Sequence, residues 1–320
     1  MTAVTINADR VARIAEVLAG TKSVLPANFA PGCMGQGLFP PIGHPRAVDL
    51  FFAVTLHQYG FWSDDGIRYL EPYYGMLDGI RRKGAEFMFR AFWKTAEEDP
   101  DFLRPERQAS LTAIDLQRAL AEDDGICRIP MFESHLILAR AYGRYLVDNR
   151  IEPSSLTSLA NVAPYPFQFF RDRVGHIPGY AEDPLEKKLS LLAIILKNRP
   201  EHFLDIANGD LIPIVDYHIQ RTFLRTGMVE VGPGELRTRI SERRLLSDEE
   251  EALIRQQVHA AVRELSGVSG RDIAALDWFF FSLRRKCYEM EAPDCGSCGV
   301  DGVCAHHVEL FQPVLRTTYY

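Results

Sequence analysis

Four cysteines near the C-terminus constrain this chain more than any other feature. Cys287, Cys295, Cys298 and Cys304 fall within 18 residues in the spacing Cys-x7-Cys-x2-Cys-x5-Cys, out of six cysteines in 320 residues. Clustering of that kind in a reducing compartment points to metal ligation, because free thiols there are not driven into disulfides. Thiolates so close together can all turn toward one centre, which suits a [4Fe–4S] cluster or a tetrahedral zinc ion. Spacing alone leaves both open. The other two, Cys33 and Cys127, stand apart and read as small buried hydrophobes.

The composition, 47% hydrophobic and 25% charged, is that of a globular chain long enough for one large helical domain or two smaller ones. No apolar run approaches the ~20 residues that cross a bilayer. Met1-Thr2-Ala3-Val4-Thr5 lacks the basic, apolar, small-residue order of a signal peptide. A cytoplasmic protein without a membrane partner is expected. The net charge of −7 counts against extended contact with nucleic acid, whose phosphates call for a basic surface.

Apolar periodicity predicts a mainly α fold. Residues 6–20 form an amphipathic helix with Val11, Ile14, Ala15 and Leu18 on one face. The segment 30–45, rich in Gly and Pro, is irregular and reads equally as a linker or as a loop over a pocket. From Pro45 to about residue 150 the stripes are read as helical, Leu77, Ile80, Phe87 and Met88 included. A helix over 184–198 is stopped by Pro200. Asp216 and Gly227 bound another as its N-terminal cap and C-terminal stop. Ser247 and Glu250 form a capping box ahead of a helix over 247–265. A last helix, 271–286, delivers the chain to Cys287. The expected division is 1–45 (helix and Gly/Pro-rich loop), 46–230 (helical, carrying Asp216) and 231–320 (helical, with the cysteine loop).

Two blocks carry a resemblance. The run from Trp278 through Arg284-Arg285-Lys286-Cys287 to Cys295-Gly296-Ser297-Cys298 and Cys304 resembles the iron–sulfur loop of endonuclease III and the adenine glycosylases. Those are helix–hairpin–helix base-excision enzymes, and the first cysteine interval here is one residue longer than theirs. Ile214-Val215-Asp216-Tyr217-His218-Ile219-Gln220-Arg221 is similar to the Val-Asp-x-His-x-x-Arg signature of the same superfamily. The resemblance implies a two-lobed helical glycosylase-like fold and a structural [4Fe–4S] cluster on Cys287, Cys295, Cys298 and Cys304, with zinc as the alternative. It makes Asp216 the catalytic carboxylate at a cleft between the lobes. A carboxylate there suits the chemistry, since breaking an N-glycosidic bond builds positive charge on the sugar. The bland reading of Asp216 is a helix cap, and both can hold at once.

The chain also departs from that family. Between the first two cysteines stand Glu289, Glu291 and Asp294, where a DNA-binding loop would be basic; three carboxylates repel a phosphate backbone. No Gly-rich hairpin precedes Asp216, and the lyase lysine would fall near Asn198, with Lys197 beside it. Hydrolysis by water is therefore expected rather than a Schiff-base lyase reaction. His218 reads as a histidine satisfied by backbone, and Arg221 as a partner for a carboxylate. His306 and His307 are surplus to a four-cysteine site.

A second resemblance covers more of the chain. Lys187-Lys188-Leu189, Phe203-Leu204-Asp205-Ile206 and Asp216-Tyr217 are similar to segments of the queuosine-nucleotide salvage glycosidases, and Tyr59-Gly60-Phe61-Trp62 to an early aromatic motif there. It implies that Lys188 approaches a substrate phosphate and that Trp62 contacts substrate; the bland reading of Lys188 is a solvated helix lysine. The expectation is a hydrolase of nucleobase–sugar bonds. Its substrate is damaged DNA, as for a monofunctional DNA glycosylase, or else a small modified nucleoside or nucleotide. A non-enzymatic protein that keeps the cluster as a staple is the third reading.

Overall fold

The computed structural model of the chain describes residues 4–35 and 37–320. The signal-peptide reading at Met1-Thr2-Ala3 and position Gln36 of the irregular segment lie outside the described residues. Thirteen α-helices are found among the described residues, so the chain is mainly helical as expected. In order these are α1 (Ala8–Gly20), α2 (Ala47–Thr55), α3 (Gly84–Glu98), α4 (Pro105–Ala109), α5 (Ala113–Ala119) and α6 (Phe132–Asn149). They continue as α7 (Pro153–Asn161), α8 (Pro166–Val174), α9 (Lys187–Asn198), α10 (Tyr217–Thr226), α11 (Glu235–Ser241), α12 (Asp248–Ser269) and α13 (Ile273–Leu283). The strands are short: β1 (Val4–Ile6), β2 (Trp62–Asp64), β3 (Tyr69–Pro72), β4 (Tyr74–Leu77), β5 (Ile80–Lys83) and β6 (Val229–Val231). No helix among the described residues is long and apolar enough to cross a membrane.

The chain forms two compact units that interleave along the sequence. One gathers the chain up to Ala27, Asp64–Glu71 and Leu211–Arg316; the other gathers Asn28–Ser63, Pro72–Asp210 and Thr317–Tyr320. The helix after Asp216 and the cysteine loop therefore share a unit.

In the unit holding the cysteines, α1 packs on α12, and α10 packs on both α12 and α13. The apolar face of α1 is the one its periodicity predicts, since Val11, Ile14, Ala15 and Leu18 are all buried. β1 pairs antiparallel with β6 from Val4 opposite Val231 to Ile6 opposite Val229, which ties the start of the chain to the segment after α10. Ser247 and Glu250 form the predicted capping box at the start of α12.

In the other unit α2 is the central helix, with Phe51 and Phe52 fully buried and α3, α7 and α9 packed against it. The Tyr180 hydroxyl donates to the Phe52 carbonyl at 2.6 Å. The irregular segment is tied down from inside: the buried Arg199 guanidinium donates to the carbonyls of Phe29, at 2.7 Å, and Pro40, at 2.6 Å. Leu77 and Ile80 are not helical. They flank a hairpin in which β4 pairs antiparallel with β5, Leu77 opposite Ile80. The cause is local: Asp78 and Gly79 both adopt positive φ, 56° and 70°, as a two-residue hairpin turn requires, and Asp-Gly is a favoured pair for it.

Candidate active site and metal centre

Asp216 occupies the cap position of α10, with one carboxylate oxygen accepting the Ile219 N–H at 3.0 Å. The side chain is half-buried, and its second oxygen has no hydrogen bond or ion pair among the described residues. A cap interaction thus fixes the carboxylate and leaves one oxygen for other chemistry. Val215 ahead of it is held through its carbonyl by the buried Arg255, whose Nε donates at 3.0 Å. Gly227 closes the helix at φ 76°, as the sequence predicts.

Every residue of α10 is buried, although its sequence is rich in polar side chains. Those side chains reach into the cysteine loop and the segment after it. Arg221 donates from Nη1 to Gln312 Oε1 at 2.7 Å and from Nη2 to the Cys287 carbonyl at 3.4 Å. Arg225 donates from Nη1 to Cys287 Sγ at 3.3 Å and to the Tyr288 carbonyl at 2.7 Å, and from Nε to the Leu310 carbonyl at 2.8 Å. The Arg225 carbonyl in turn accepts the His307 N–H at 3.0 Å. Burial lowers the Arg225 guanidinium from its ordinary value, and Cys287 acts in the opposite direction. Arg221 thus meets glutamine, carbonyl and imidazole rather than a carboxylate. His218 Nδ1 lies 3.1 Å from Arg221 Nη2.

Glu289 points inward, only 8% exposed. Its Oε1 accepts from Gln312 Nε2 at 2.7 Å and from the Tyr69 hydroxyl. One of the three carboxylates counted against a phosphate backbone is therefore an internal strut. Glu291 and Asp294 are exposed, and Asp294 lies 3.5 Å from Lys286. Arg285 is exposed as well.

All four cysteine side chains of the loop line one recess, together with Arg225 and His306. Cys304 Sγ accepts the His306 backbone N–H at 3.3 Å, and burial pushes the Cys298 and Cys304 thiols up. Cys295 is raised by burial first and by the charge of Asp301 after it. Cys295, Asp301 and His306 bring ligand atoms within 4.8 Å of one another, so this group can hold a metal ion. His306 Nε2 and Asp301 Oδ1 are 2.7 Å apart. His306, set aside as surplus, is therefore among the residues that could hold a metal ion. Sulfurs around one zinc ion stand about 3.8 Å apart, from Zn–S bonds near 2.3 Å. Among the described residues Cys295, Asp301 and His306 are drawn together, and the four cysteines line one recess. Four thiols with N–H···S hydrogen bonds at Cys287 and Cys304 fit a [4Fe–4S] cluster or a zinc ion alike.

The other two proposed substrate contacts lie in the second unit and are buried there. Trp62, at the start of β2, is 4% exposed. Lys188 is not a solvated helix lysine: it is 2% exposed, and its Nζ donates to the Leu56 carbonyl at 3.2 Å. Burial, with Lys187 alongside, brings its ammonium down to about 7. Cys33 and Cys127 are half-buried thiols, both raised by burial. Arg225 and Gln312 go unmarked in the sequence, and Glu289 is marked there only as a carboxylate facing away from phosphate. The four-residue step from Arg221 to Arg225, on one face of a helix that opens at Asp216, was the available signal for the first. No protein-family model matches the chain, and a search of curated proteins returns no match.

Proposed function

We propose that the protein is an N-glycosidase that hydrolyses a nucleobase–sugar bond, with Asp216 as the catalytic carboxylate. The observation that carries this reading is the state of Asp216: one oxygen held in the helix cap, the other without a partner. A carboxylate so fixed can stabilise positive charge on the sugar and accept a proton from the attacking water. In that reaction a C–O bond forms at the anomeric carbon while the C–N bond breaks, and the base departs with a proton. Cys287, Cys295, Cys298 and Cys304 would hold a [4Fe–4S] cluster, which supplies a structural staple for the loop rather than a reacting group. Arg221 and Arg225 would pass that rigidity to α10 and so to Asp216.

Damaged DNA, its target base flipped from the stack, is the first substrate class, from the resemblance in the cysteine loop and the Asp216 segment. A small modified nucleotide is the second, favoured by Glu291 and Asp294 on the exposed side of the loop. The test is release of free base by the holoprotein from a panel of damaged duplexes and of modified nucleotides, each with an Asp216→Asn control. Base release lost in the variant supports the reading. Release from nothing in either panel, or release that Asp216→Asn leaves intact, overturns it. Metal analysis giving about four irons per chain supports the cluster, and one zinc per chain refutes it.

A further inference from the structure

A cavity of about 300 Å³ opens beside the cysteine loop, in the unit that holds it. The loop segment 289–293 lines it, together with Ser241 and Arg243 at the end of α11 and with Val308, Glu309 and Phe311. Arg243 differs from the arginines around it. Arg237 pairs with Glu309 at 2.6 Å, Arg239 with Glu250 at 2.6 Å and Arg244 with Glu235 at 3.3 Å. Arg243 has no carboxylate partner among the described residues. Its Nη1 lies 3.5 Å from Met290 Sδ, and its guanidinium carbon lies 5.8 Å from the Phe311 ring centroid.

The Arg243 backbone is held where a side chain is unfavourable. Its φ is 59°, its N–H donates to the Ile240 carbonyl at 3.1 Å, and the Arg244 N–H donates to the Arg239 carbonyl at 2.9 Å. Those bonds end a helix in the left-handed region, which favours glycine. Glycine fills that position after α10 and after α12. An arginine there costs stability, yet the fold itself puts this guanidinium in no ion pair. Strain retained around a side chain at the wall of a cavity points to a ligand.

The charges around the cavity define that ligand. Glu309 is offset by Arg237, and Glu289 is held by Gln312 and Tyr69. Arg225, which also lines the cavity, is engaged with the Cys287 sulfur and two carbonyls. One guanidinium, Arg243, and one exposed carboxylate, Glu291, are left without an ion pair among the described residues. A guanidinium takes a carboxylate through two parallel hydrogen bonds, and a carboxylate takes an ammonium group. Phe311, Val308, Pro293 and the Met290 thioether offer apolar surface to the rest of the molecule. Polyanions are disfavoured by Glu291 and Glu309.

We propose that this cavity binds a free α-amino acid with an apolar side chain. Its carboxylate pairs with Arg243, its ammonium with Glu291, and its side chain rests on Phe311 and Met290. The site is independent of the glycosidase reading of Asp216, and its test needs no turnover. The full-length holoprotein is titrated with L-leucine and with L-phenylalanine, and the melting temperature is followed. Isocaproate, which is leucine without its ammonium, and isoamylamine, which is leucine without its carboxylate, are the comparison probes. A saturable rise with an amino acid is expected, because binding to the folded state alone stabilises it. Its midpoint concentration should rise by about tenfold or more in Arg243→Gly and in Glu291→Gln, and stay unchanged in Arg244→Gln. Without ligand, Arg243→Gly should melt higher than the parent, since glycine relieves the left-handed backbone. Glu291→Gln alters an exposed side chain, so it reports whatever Arg243→Gly does to folding. No saturable rise with either amino acid, an equal rise with isocaproate or isoamylamine, or an undiminished response in Glu291→Gln overturns the proposal.

Discussion

Arg225 donates to the Cys287 sulfur at 3.3 Å from the last full turn of the helix that Asp216 caps. The same guanidinium holds the Tyr288 and Leu310 carbonyls. One side chain therefore joins the helix, the first cysteine and the chain beyond the loop. A cation donating to a thiolate ligand offsets the negative charge of a thiolate-rich centre, which makes ligation and helix position a single structural problem.

Arg225→Met keeps the aliphatic stem but leaves two carbonyls and a sulfur without their donor. A loss of about 2–4 kcal/mol in folding stability is expected, with a lower metal-to-protein ratio after purification. Urea midpoints and metal analysis on the same preparation check both; unchanged metal content would show that the contact does not support ligation.

Asp216→Asn separates capping from chemistry. Asparagine caps as well as aspartate, so stability should change by less than about 1 kcal/mol. Base release should fall by about a hundredfold or more if the carboxylate carries the reaction. Thermal melts alongside single-turnover rates distinguish the two roles.

Gly227 is required twice over. Its φ is 76°, and an added Cβ would lie 2.7 Å from the Cβ of Ala305, next to Cys304. Gly270 ends α12 at φ 66° with nothing within 4 Å of the same atom. Gly270→Ala should therefore cost about 1 kcal/mol, the backbone penalty alone. Gly227→Ala should cost about 2–3 kcal/mol and loosen the cysteine loop. Denaturant melts of the pair, with metal retention, test the difference.

Lys188 and His135, both buried, give stability a pH dependence. Lys188 is brought down to about 7 in the folded protein from an ordinary 10.5. Between those values the unfolded chain binds more protons, so stability should rise with pH across that window. His135, brought down to about 3 from 6.5, acts in the same sense at lower pH, and stability should fall as pH drops below about 6. Urea midpoints across both windows in chloride buffer measure this. Lys188→Met should flatten the upper slope and, by removing a charge that helps hold His135 down, reduce the lower one.

What the sequence determined by itself is whatever a few consecutive residues settle. The cap at Asp216, the stop at Gly227, the capping box of Ser247 and Glu250 and the buried face of α1 all follow from contacts within a turn or two. The grouping of the four cysteines around one recess follows as well, because short spacing leaves the thiols little freedom to separate. The Asp78-Gly79 hairpin was equally local, and was obscured by apolar residues whose spacing also fits a helix. Tertiary structure alone decided where the polar side chains went. The sequence reads Lys188 as a solvated lysine and fills α10 with polar side chains, yet both are buried. Glu289 turned from a surface charge into a strut by meeting Tyr69 and Gln312, which lie far from it in sequence. The physical reason is that burial of a polar group depends on whether distant partners replace its water.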